Sequence, residues 1–233
     1  MDQTHDKPPL VIGLAGGIGS GKSALAAAFG RAGCAVIDSD AEARRALQSP
    51  EVARELVKWW GSGVLDPRGG VDRAAVARHV FGQPAERARL EGLIHPRIRR
   101  TRAAAQEEAR RAGAPAIIYD APLLFEVGID AVCDAVVFVD CPRETRLERL
   151  KKSRGWDDAE LTRREAAQLP LEEKRSRSRF VVQNPGAPAD AGPAEASRLD
   201  QQAREILAIL LGVTGRAVGP SAERGQPNSR PED

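Results

Sequence analysis

A glycine-rich segment near the amino terminus has the residue types and spacing that bind phosphate. Residues 16–23 read Gly-Gly-Ile-Gly-Ser-Gly-Lys-Ser and match the pattern G-x-x-x-x-G-K-[ST] between a predicted strand and a predicted helix. Successive backbone N–H groups and the helix dipole can hold phosphate oxygens there. Lys22 is expected to bridge the β- and γ-phosphates, and the Ser23 hydroxyl to bind Mg²⁺. We therefore predict a nucleoside-triphosphate site in this phosphate-binding loop (residues 16–23). The predicted contacts are Gly17, Gly19, Ser20, Gly21, Lys22, Ser23 and Ala24.

Carboxylates follow two other predicted strands, at the edge of the sheet where such sites form. Asp38 ends the second strand, and there it serves either as a proton acceptor or as the N-cap of the next helix. The sequence leaves these two roles equally open. For Asp40 the capping role is favoured. Asp120 ends the third strand and has the position of an acid that holds Mg²⁺ through water, although a local structural role is favoured for it.

An arginine-rich stretch follows the fourth predicted strand. Residues 143–179 carry twelve Lys or Arg against eight Asp or Glu. Phosphoryl transfer spreads negative charge over three equatorial oxygens, which arginine forks stabilise. We therefore predict a helical lid that closes over the phosphates. The alternative is a solvated helix pair held by ion pairs one turn apart. The arginines concerned are Arg146, Arg149, Arg154, Arg163 and Arg164.

Three classes of protein use triphosphates in ways that these features could serve. A GTPase switch needs a guanine-binding N-K-x-D segment, which the sequence lacks; residues 66–69 match D-x-x-G but follow no strand, so we expect a turn there. A motor or helicase ATPase is usually larger and carries a hydrophobic strand that ends in paired acids. A small-molecule kinase needs a base, an acceptor pocket and a cationic lid, and it fits best.

A nucleotide-gated nucleic-acid binder is the rival outside enzymes. Its basic surface would be Arg97, Arg99, Arg100 and Arg102. These residues share a predicted helix with acidic side chains, and the net charge of the chain is only +2. A solvated helix face is therefore favoured, and no nucleic-acid partner is expected.

Strands and helices alternate along the chain, which indicates a parallel sheet covered by helices on both faces. Ligands of such sheets bind beyond the carboxyl ends of the strands, where the polar residues above lie. Ser49 and Asp72 are expected helix N-caps, and Pro84 and Pro142 are expected to open helices. The predicted strands are 10–15, 34–37, 115–119, 135–139 and 180–182, and the last helix is 196–211.

Other features of the composition limit the class of protein to which the chain can belong. No apolar run approaches the ~18 residues that span a bilayer, and residues 1–9 lack the apolar core of a signal peptide. Three cysteines without C-x-x-C spacing indicate a reduced, cytoplasmic chain without a cysteine metal site. His95 is isolated, and a buried histidine at a helix boundary is as good an interpretation as a ligand contact. Trp59 and Trp60 are expected to pack a peripheral helix.

Taken in order, these motifs resemble the dephospho-CoA kinase family from about residue 11 to residue 186. The phosphate-binding loop alone is shared by many families, so the ordered set carries the resemblance. Its members are residues 13–23; Val36 to Asp40 with Ala43-Arg44; Asp72-Arg73, Val80-Phe81 and Ile94-His95-Pro96; Pro122 to Glu126; Arg149-Leu150, Arg154, residues 164–168 and Lys174; and Asn184-Pro185-Gly186.

The resemblance implies a P-loop kinase-like fold and a specific reaction. That reaction is the ATP- and Mg²⁺-dependent phosphorylation of the ribose 3′-hydroxyl of dephospho-CoA, which gives CoA and ADP. Asp38 becomes the general base, and Asn184 flanks adenine. Arg149 and Arg154 neutralise the developing charge. Arg73, His95 and Leu123 become contacts to the acceptor. A nucleoside monophosphate kinase or a shikimate-like kinase stays the alternative.

We expect one domain over residues 10–212 of a monomeric protein. Residues 49–112 are expected to form a helical substrate region, and residues 143–177 the lid. The termini, residues 1–9 and 213–233, are expected to be disordered. The core is assigned to residues 10–48, 113–142 and 178–212.

Overall fold

A five-stranded parallel sheet forms the centre of the molecule. The computed structural model describes residues 8–186 and 192–212, so the predicted disordered termini lie outside the described residues except for residues 8 and 9. The strands stand in the order β2-β3-β1-β4-β5, and all four pairings are parallel. The predicted strands are confirmed to within a residue at each end. They are β1 (Leu10–Gly16), β2 (Ala35–Asp38), β3 (Ala116–Asp120), β4 (Ala135–Asp140) and β5 (Phe180–Gln183).

Helices connect the strands and cover both faces of the sheet. None of the helices in the described ranges is both long enough and apolar enough to cross a membrane. The helices are α1 (Lys22–Arg31), α2 (Ser39–Leu47), α3 (Pro50–Trp60), α4 (Arg73–Val80), α5 (Pro84–Arg111), α6 (Arg143–Arg154), α7 (Asp158–Glu165), α8 (Leu171–Ser176) and α9 (Gly192–Leu210).

Successive side chains of each strand feed two separate cores. In β4, Val137 and Val139 pack with α1 and α9, whereas Val136 and Phe138 pack on the opposite face. Side chains of a strand point alternately to the two faces of the sheet, so a strand covered on both faces is apolar at consecutive positions. This burial explains why the strands are readable as short continuous apolar runs.

The segment between β2 and β3 has a small core of its own. Val52, Leu56 and Val76 are buried between α3, α4 and α5, with both tryptophans of α3 packed against them. The Trp60 indole donates to Glu86 Oε2 at 2.9 Å and stacks on the His79 ring at 4.8 Å between centroids. The tryptophan pair therefore packs a peripheral helix, as its sequence context indicated.

Two local predictions about this segment have different outcomes. Ser49 caps α3 and Asp72 caps α4, each through its side-chain oxygen, as predicted. His95, however, is not a buried helix-boundary residue: it is exposed in the middle of α5, which continues through Pro96. Packing on both sides of this proline offsets its missing hydrogen bond, because Leu93 contacts the helical core and Ala105 contacts the sheet core.

Candidate active site

The phosphate-binding loop joins the end of β1 to the start of α1. Gly19 and Gly21 have φ values of 78° and 93°, which residues with a side chain rarely adopt. A Cβ atom on Gly21 would also collide with the Asn184 amide. Gly21 is the N-cap of α1 and supplies no side-chain hydrogen bond. The first N–H groups of α1 therefore face the loop without a side-chain cap, which is the arrangement that binds an anion.

Lys22 lies against this loop with its ammonium group turned onto the backbone. Its Nζ donates to the carbonyl oxygens of Gly16 at 3.1 Å and Gly17 at 3.0 Å. Burial lowers the pKa of Lys22 to about 8, because the charge of Asp120 offsets the loss of water only in part and Lys174 adds repulsion. A triphosphate bound by the loop would supply the missing negative charge.

Ser23 and Asp120 meet at the carboxyl end of the sheet. The Ser23 hydroxyl donates to Asp120 Oδ2 at 2.6 Å. Parallel pairing places Asp120 beside Leu14 of β1 on one side and beside Asp38 of β2 on the other. Asp120, for which sequence favoured a local structural role, is thus part of the same site as the phosphate-binding loop. A hydroxyl and a carboxylate oxygen at this spacing form a donor set that Mg²⁺ accepts.

Asp38 ends β2 and caps α2 at the same time. Its Oδ1 accepts from the Ala41 N–H at 2.9 Å, while its Oδ2 lies 3.8 Å from Arg44 Nη2. The capping role predicted for Asp40 is therefore wrong. Asp38 has the extended backbone that an N-cap requires, whereas Asp40 already lies in the first turn of the helix. Both carboxylates line the same cavity.

That cavity has a volume of about 820 Å³ and opens over the carboxyl ends of β1, β2 and β3. Five basic side chains and three carboxylates line it, so its wall is net positive and suits an anionic ligand. Its walls come from the phosphate-binding loop, the start of α2, the segment after β3 and the predicted lid. The lining residues are Ile18 to Ser23, Asp38, Asp40, Arg44, Asp120, Pro122, Leu123, Arg154, Trp156, Arg163, Arg164, Ala167 and Gln168.

Most of the predicted site residues border this cavity, and a second group supports the loop from behind. Arg149 Nη1 donates to the carbonyl oxygens of Gly19 and Ser20 at 3.4 Å, and Asn184 Nδ2 donates to the Ser20 oxygen at 2.8 Å. Asn184 is buried and accepts from Arg149 Nη2 at 3.4 Å. These two side chains therefore fix the backbone of the loop. The predicted residues on the wall are Gly19, Ser20, Gly21, Lys22, Ser23, Asp38, Leu123 and Arg154.

Four further predicted contacts lie off the wall of this cavity. Gly17 is under the guanidinium of Arg146, and Ala24 is exposed on α1. Arg73 begins α4 and His95 lies in α5, both exposed to solvent. Their contacts to ligands stay predictions.

Arg146 is a supporting residue that sequence did not distinguish from the other lid arginines. It is buried and donates to the carbonyl oxygens of Ile18 and Cys141 at 3.2 Å, and it pairs with Glu165 of α7. The partner is nineteen positions away, so no helical spacing could have indicated it. The pair ties the lid helices to the phosphate-binding loop.

A buried ion pair connects the segment after β3 to the base of the lid. Lys174 Nζ lies 2.7 Å from Glu126 Oε1 and donates to Gln168 Oε1 at 2.9 Å. The Leu169 N–H also donates to Glu126 Oε1 at 3.0 Å. Burial opposes ionisation of Glu126, but the hydrogen bonds from Lys174 and from the backbone outweigh it and hold its pKa below the ordinary value. Gln168 and Leu123, which flank this pair in sequence, both line the cavity.

Known proteins are similar to this chain in sequence and in fold over most of its length. A family model described as dephospho-CoA kinase matches residues 10–190. Dephospho-CoA kinase of Anaeromyxobacter dehalogenans is 46% identical over 211 residues, which cover 88% of this chain and 94% of that protein. The enzyme of that name from Deinococcus radiodurans is 40% identical over 200 residues, with coverage of 85% and 93%.

Solved structures agree with these sequence matches. A crystal structure of a protein from Thermus thermophilus superposes with a TM-score of 0.71 at 36% identity, covering 90% of this chain and all of that one. Dephospho-CoA kinase from Campylobacter jejuni has the same fold, with a TM-score of 0.60 at 22% identity and coverage of 88% and 98%. The predicted P-loop kinase-like sheet flanked by helices is thus confirmed. The chain belongs to the dephospho-CoA kinase family.

Proposed function

We propose that this protein transfers the γ-phosphoryl group of ATP to the ribose 3′-hydroxyl of dephospho-CoA, which gives CoA and ADP. Membership of the family supports both the reaction and the substrates. The observation that carries the proposal is one cavity lined by both the phosphate-binding loop and Asp38. A donor phosphate on the loop and an acceptor hydroxyl beside Asp38 would share that space, as in-line transfer requires.

The loop and Lys22 would bind the triphosphate. Backbone N–H groups at the start of α1 point to where phosphate oxygens would lie. Lys22 reaches the same place, and the charge of a bound triphosphate would offset the burial that lowers its pKa. Arg149 and Asn184 hold the loop in this form through its carbonyl oxygens. The proposed adenine contact of Asn184 would extend this support to the base of the nucleotide.

Ser23 and Asp120 would hold Mg²⁺. Both present oxygen, the donor that this ion prefers, and they already lie within hydrogen-bonding distance of each other. When bound, the ion would neutralise charge on the β- and γ-phosphate oxygens.

Asp38 would accept or orient the proton of the acceptor hydroxyl. Its Oδ1 is used by the helix cap, which fixes the carboxylate in place, and its Oδ2 is turned toward Arg44 at 3.8 Å. An oriented carboxylate within reach of the attacking oxygen typically contributes about 10²–10⁴-fold to the rate. Arg154 and its neighbours on the lid wall would stabilise the charge of the transferring group.

The division of the chain into parts belongs to the same proposal. Residues 49–112, with Arg73 and His95, would bind the distal part of the acceptor, and residues 143–177 would close over the phosphates. The separate apolar core of α3 to α5 supports the first assignment, and the lid arginines on the cavity wall support the second. We also propose that the protein is a cytoplasmic monomer. We propose that it binds no nucleic acid, because Glu42 engages Arg102 of the basic helix.

A direct test compares acceptors. ADP release from Mg-ATP would be followed by a coupled assay with dephospho-CoA, AMP, dTMP and shikimate, and the nucleotide product identified by mass spectrometry. We expect a kcat/KM for dephospho-CoA at least about a hundredfold above that of any other acceptor, with CoA as the product. Lys22→Ala should abolish turnover with every acceptor. Faster turnover of AMP, dTMP or shikimate would overturn the proposal.

A further inference from the structure

Trp156 is the one aromatic residue on the cavity wall among the described residues. It lies in the short turn between α6 and α7, within the predicted lid. Two arginines that line the same cavity lie over its ring: Arg164 Cζ is 4.2 Å and Arg154 Cζ 4.9 Å from the ring centroid. Both distances are within the range in which the negative face of an indole attracts a guanidinium. Trp156 therefore connects the end of α6 to α7 through two cations.

The three lid arginines on the wall differ in their other partners. Arg163 donates from Nε and Nη2 to Glu160 at 2.9 Å each, and Arg164 donates from Nε to the same carboxylate at 2.6 Å. Arg154 forms no ion pair with any residue in the described ranges. Its contact is the indole of Trp156. The position of Arg154 over the cavity therefore depends on Trp156. Arg163 and Arg164, in contrast, are held by Glu160.

Contact with an aromatic face differs chemically from contact with a carboxylate. A carboxylate occupies the N–H groups of a guanidinium, which lie in its plane. An aromatic face attracts the same cation through the face of the plane, so the N–H groups stay available to phosphate oxygens. Trp156 can thus hold an arginine at the cavity without using the donors that phosphoryl transfer needs.

We propose that Trp156 is a positioning residue, which holds Arg154 with its N–H donors available to the transferring phosphoryl group. This inference rests on the proposed function of the site. Because an arginine held in this way acts where charge develops, losing Trp156 should lower kcat and leave KM for dephospho-CoA unchanged.

A substitution series separates attraction by the aromatic face from simple filling of space. Trp156→Phe keeps a weaker aromatic face, and Trp156→Leu keeps apolar volume alone. We expect kcat to fall about threefold in the Phe variant and about tenfold in the Leu variant, with both KM values within twofold of wild type. A Leu variant that folds normally and retains at least half of the wild-type kcat would overturn the proposal.

A double-mutant cycle tests whether the effect acts through the arginine. If Trp156 acts by positioning Arg154, then W156L should not lower kcat further in a protein that already carries Arg154→Gln. Additive losses in kcat would contradict this. Trp59→Leu is the matched stability control, because Arg89 Cζ lies 3.9 Å from the Trp59 ring centroid outside the cavity. Its melting temperature measures what the fold loses when an arginine–indole contact and the packing of that indole on the core of α3 to α5 are removed together.

Fluorescence provides a readout that is independent of turnover. In the W59F/W60F variant Trp156 is the single tryptophan, and Mg-ATP should change its emission as Arg154 engages phosphate. Adding Arg154→Gln should abolish most of that change; an unchanged response would overturn the inference. Failure of the wild-type protein to phosphorylate dephospho-CoA would instead overturn the proposed function, and the fluorescence experiment would still test the role of Trp156.

Discussion

Asp38 divides its two carboxylate oxygens between structure and the proposed chemistry. Oδ1 accepts the Ala41 N–H that opens α2, whereas Oδ2 is turned toward Arg44. The choice between cap and base that the sequence left open is therefore not exclusive. A capping hydrogen bond restricts the side chain to one orientation, which is what a group that must meet an acceptor hydroxyl requires.

Substitution of Asp38 by Asn separates the two roles. Asn caps a helix about as well as Asp, but its amide is not basic. We therefore expect Asp38→Asn to lower kcat at least about tenfold while KM for ATP and the melting temperature stay close to wild type. Steady-state kinetics and thermal unfolding would measure this. Asp38→Ala, the paired variant, should also lose about 1 kcal/mol of stability with the cap. Wild-type kcat in the Asn variant would show that Asp38 is only a cap.

The elements differ in how well the sequence predicts them. The five strands and the phosphate-binding loop are readable because their signals are local: apolar runs buried on both faces, and glycines at fixed spacing before a helix. The course of α5 is harder to predict from the sequence. The helix continues through Pro96 because it packs against two cores whose residues are distant in sequence. Tertiary contacts of this kind outweigh local helix propensity, and the neighbouring sequence does not reveal them.

The site shows the same division at the level of single side chains. Lys22, Ser23 and Asp38 were readable from motif and position. Arg146 and Trp156 were not, because their roles depend on partners that only the folded chain brings near: Glu165 and the Ile18 carbonyl for the first, the cavity wall for the second. A lone tryptophan in a basic stretch was the available signal for Trp156.

A buried ion pair joins α5 to the helix that Asp38 opens. Arg102 Nε lies 3.0 Å from Glu42 Oε2, and Arg102 Nη2 donates to Ser39 Oγ at 3.3 Å. The Glu42 side chain is 2% exposed and that of Arg102 19%. A carboxylate that is so well buried needs its partner, since an unpaired charge in the interior is costly.

Arg102→Ala should therefore destabilise the protein by about 3 kcal/mol, because it leaves Glu42 buried without its partner. Urea unfolding monitored by circular dichroism would measure the change. Arg111→Ala is the control on the same helix: its side chain is 74% exposed and pairs with Glu107 at 2.9 Å. An exposed pair contributes about 0–1 kcal/mol, so this variant should unfold nearly as wild type does. Equal losses in both variants would contradict the distinction between buried and exposed pairs.

On the scale of the whole molecule, side-chain contacts from α6, α7 and α8 attach the predicted lid to the sheet and the phosphate-binding loop. Arg146 with Glu165 connects α6 and α7 to the loop, Arg149 connects α6 to Asn184 after β5, and Lys174 of α8 pairs with Glu126 after β3. Each contact ends next to residues of the proposed active site. The lid is therefore positioned from both sides of β1, the strand at which the order of the sheet changes direction.

The Lys174–Glu126 contact gives the stability of the whole fold a specific pH dependence. The pKa of Glu126 is held below its ordinary value of 4.5 in the folded chain. Between the folded and unfolded pKa values the unfolded chain binds more protons, so this stabilisation is fully present above pH 4.5 and is lost as the pH falls through the folded pKa. At low pH a protonated Glu126 resembles Gln in charge and shape.

Glu126→Gln should accordingly cost about 3 kcal/mol at pH 7, where it leaves the Lys174 ammonium buried without a counter-charge. The difference in the free energy of unfolding between this variant and the wild type should become smaller as the pH falls below 4.5. Urea unfolding of both proteins between pH 3 and pH 7 would measure this difference. Added salt should change the difference little, because the Lys174 side chain is 2% exposed. For the exposed contacts of Glu107, in contrast, salt should remove most of any effect of Glu107→Gln. A constant difference across the pH range would show that Glu126 stabilises the fold through packing and hydrogen bonding rather than through its charge.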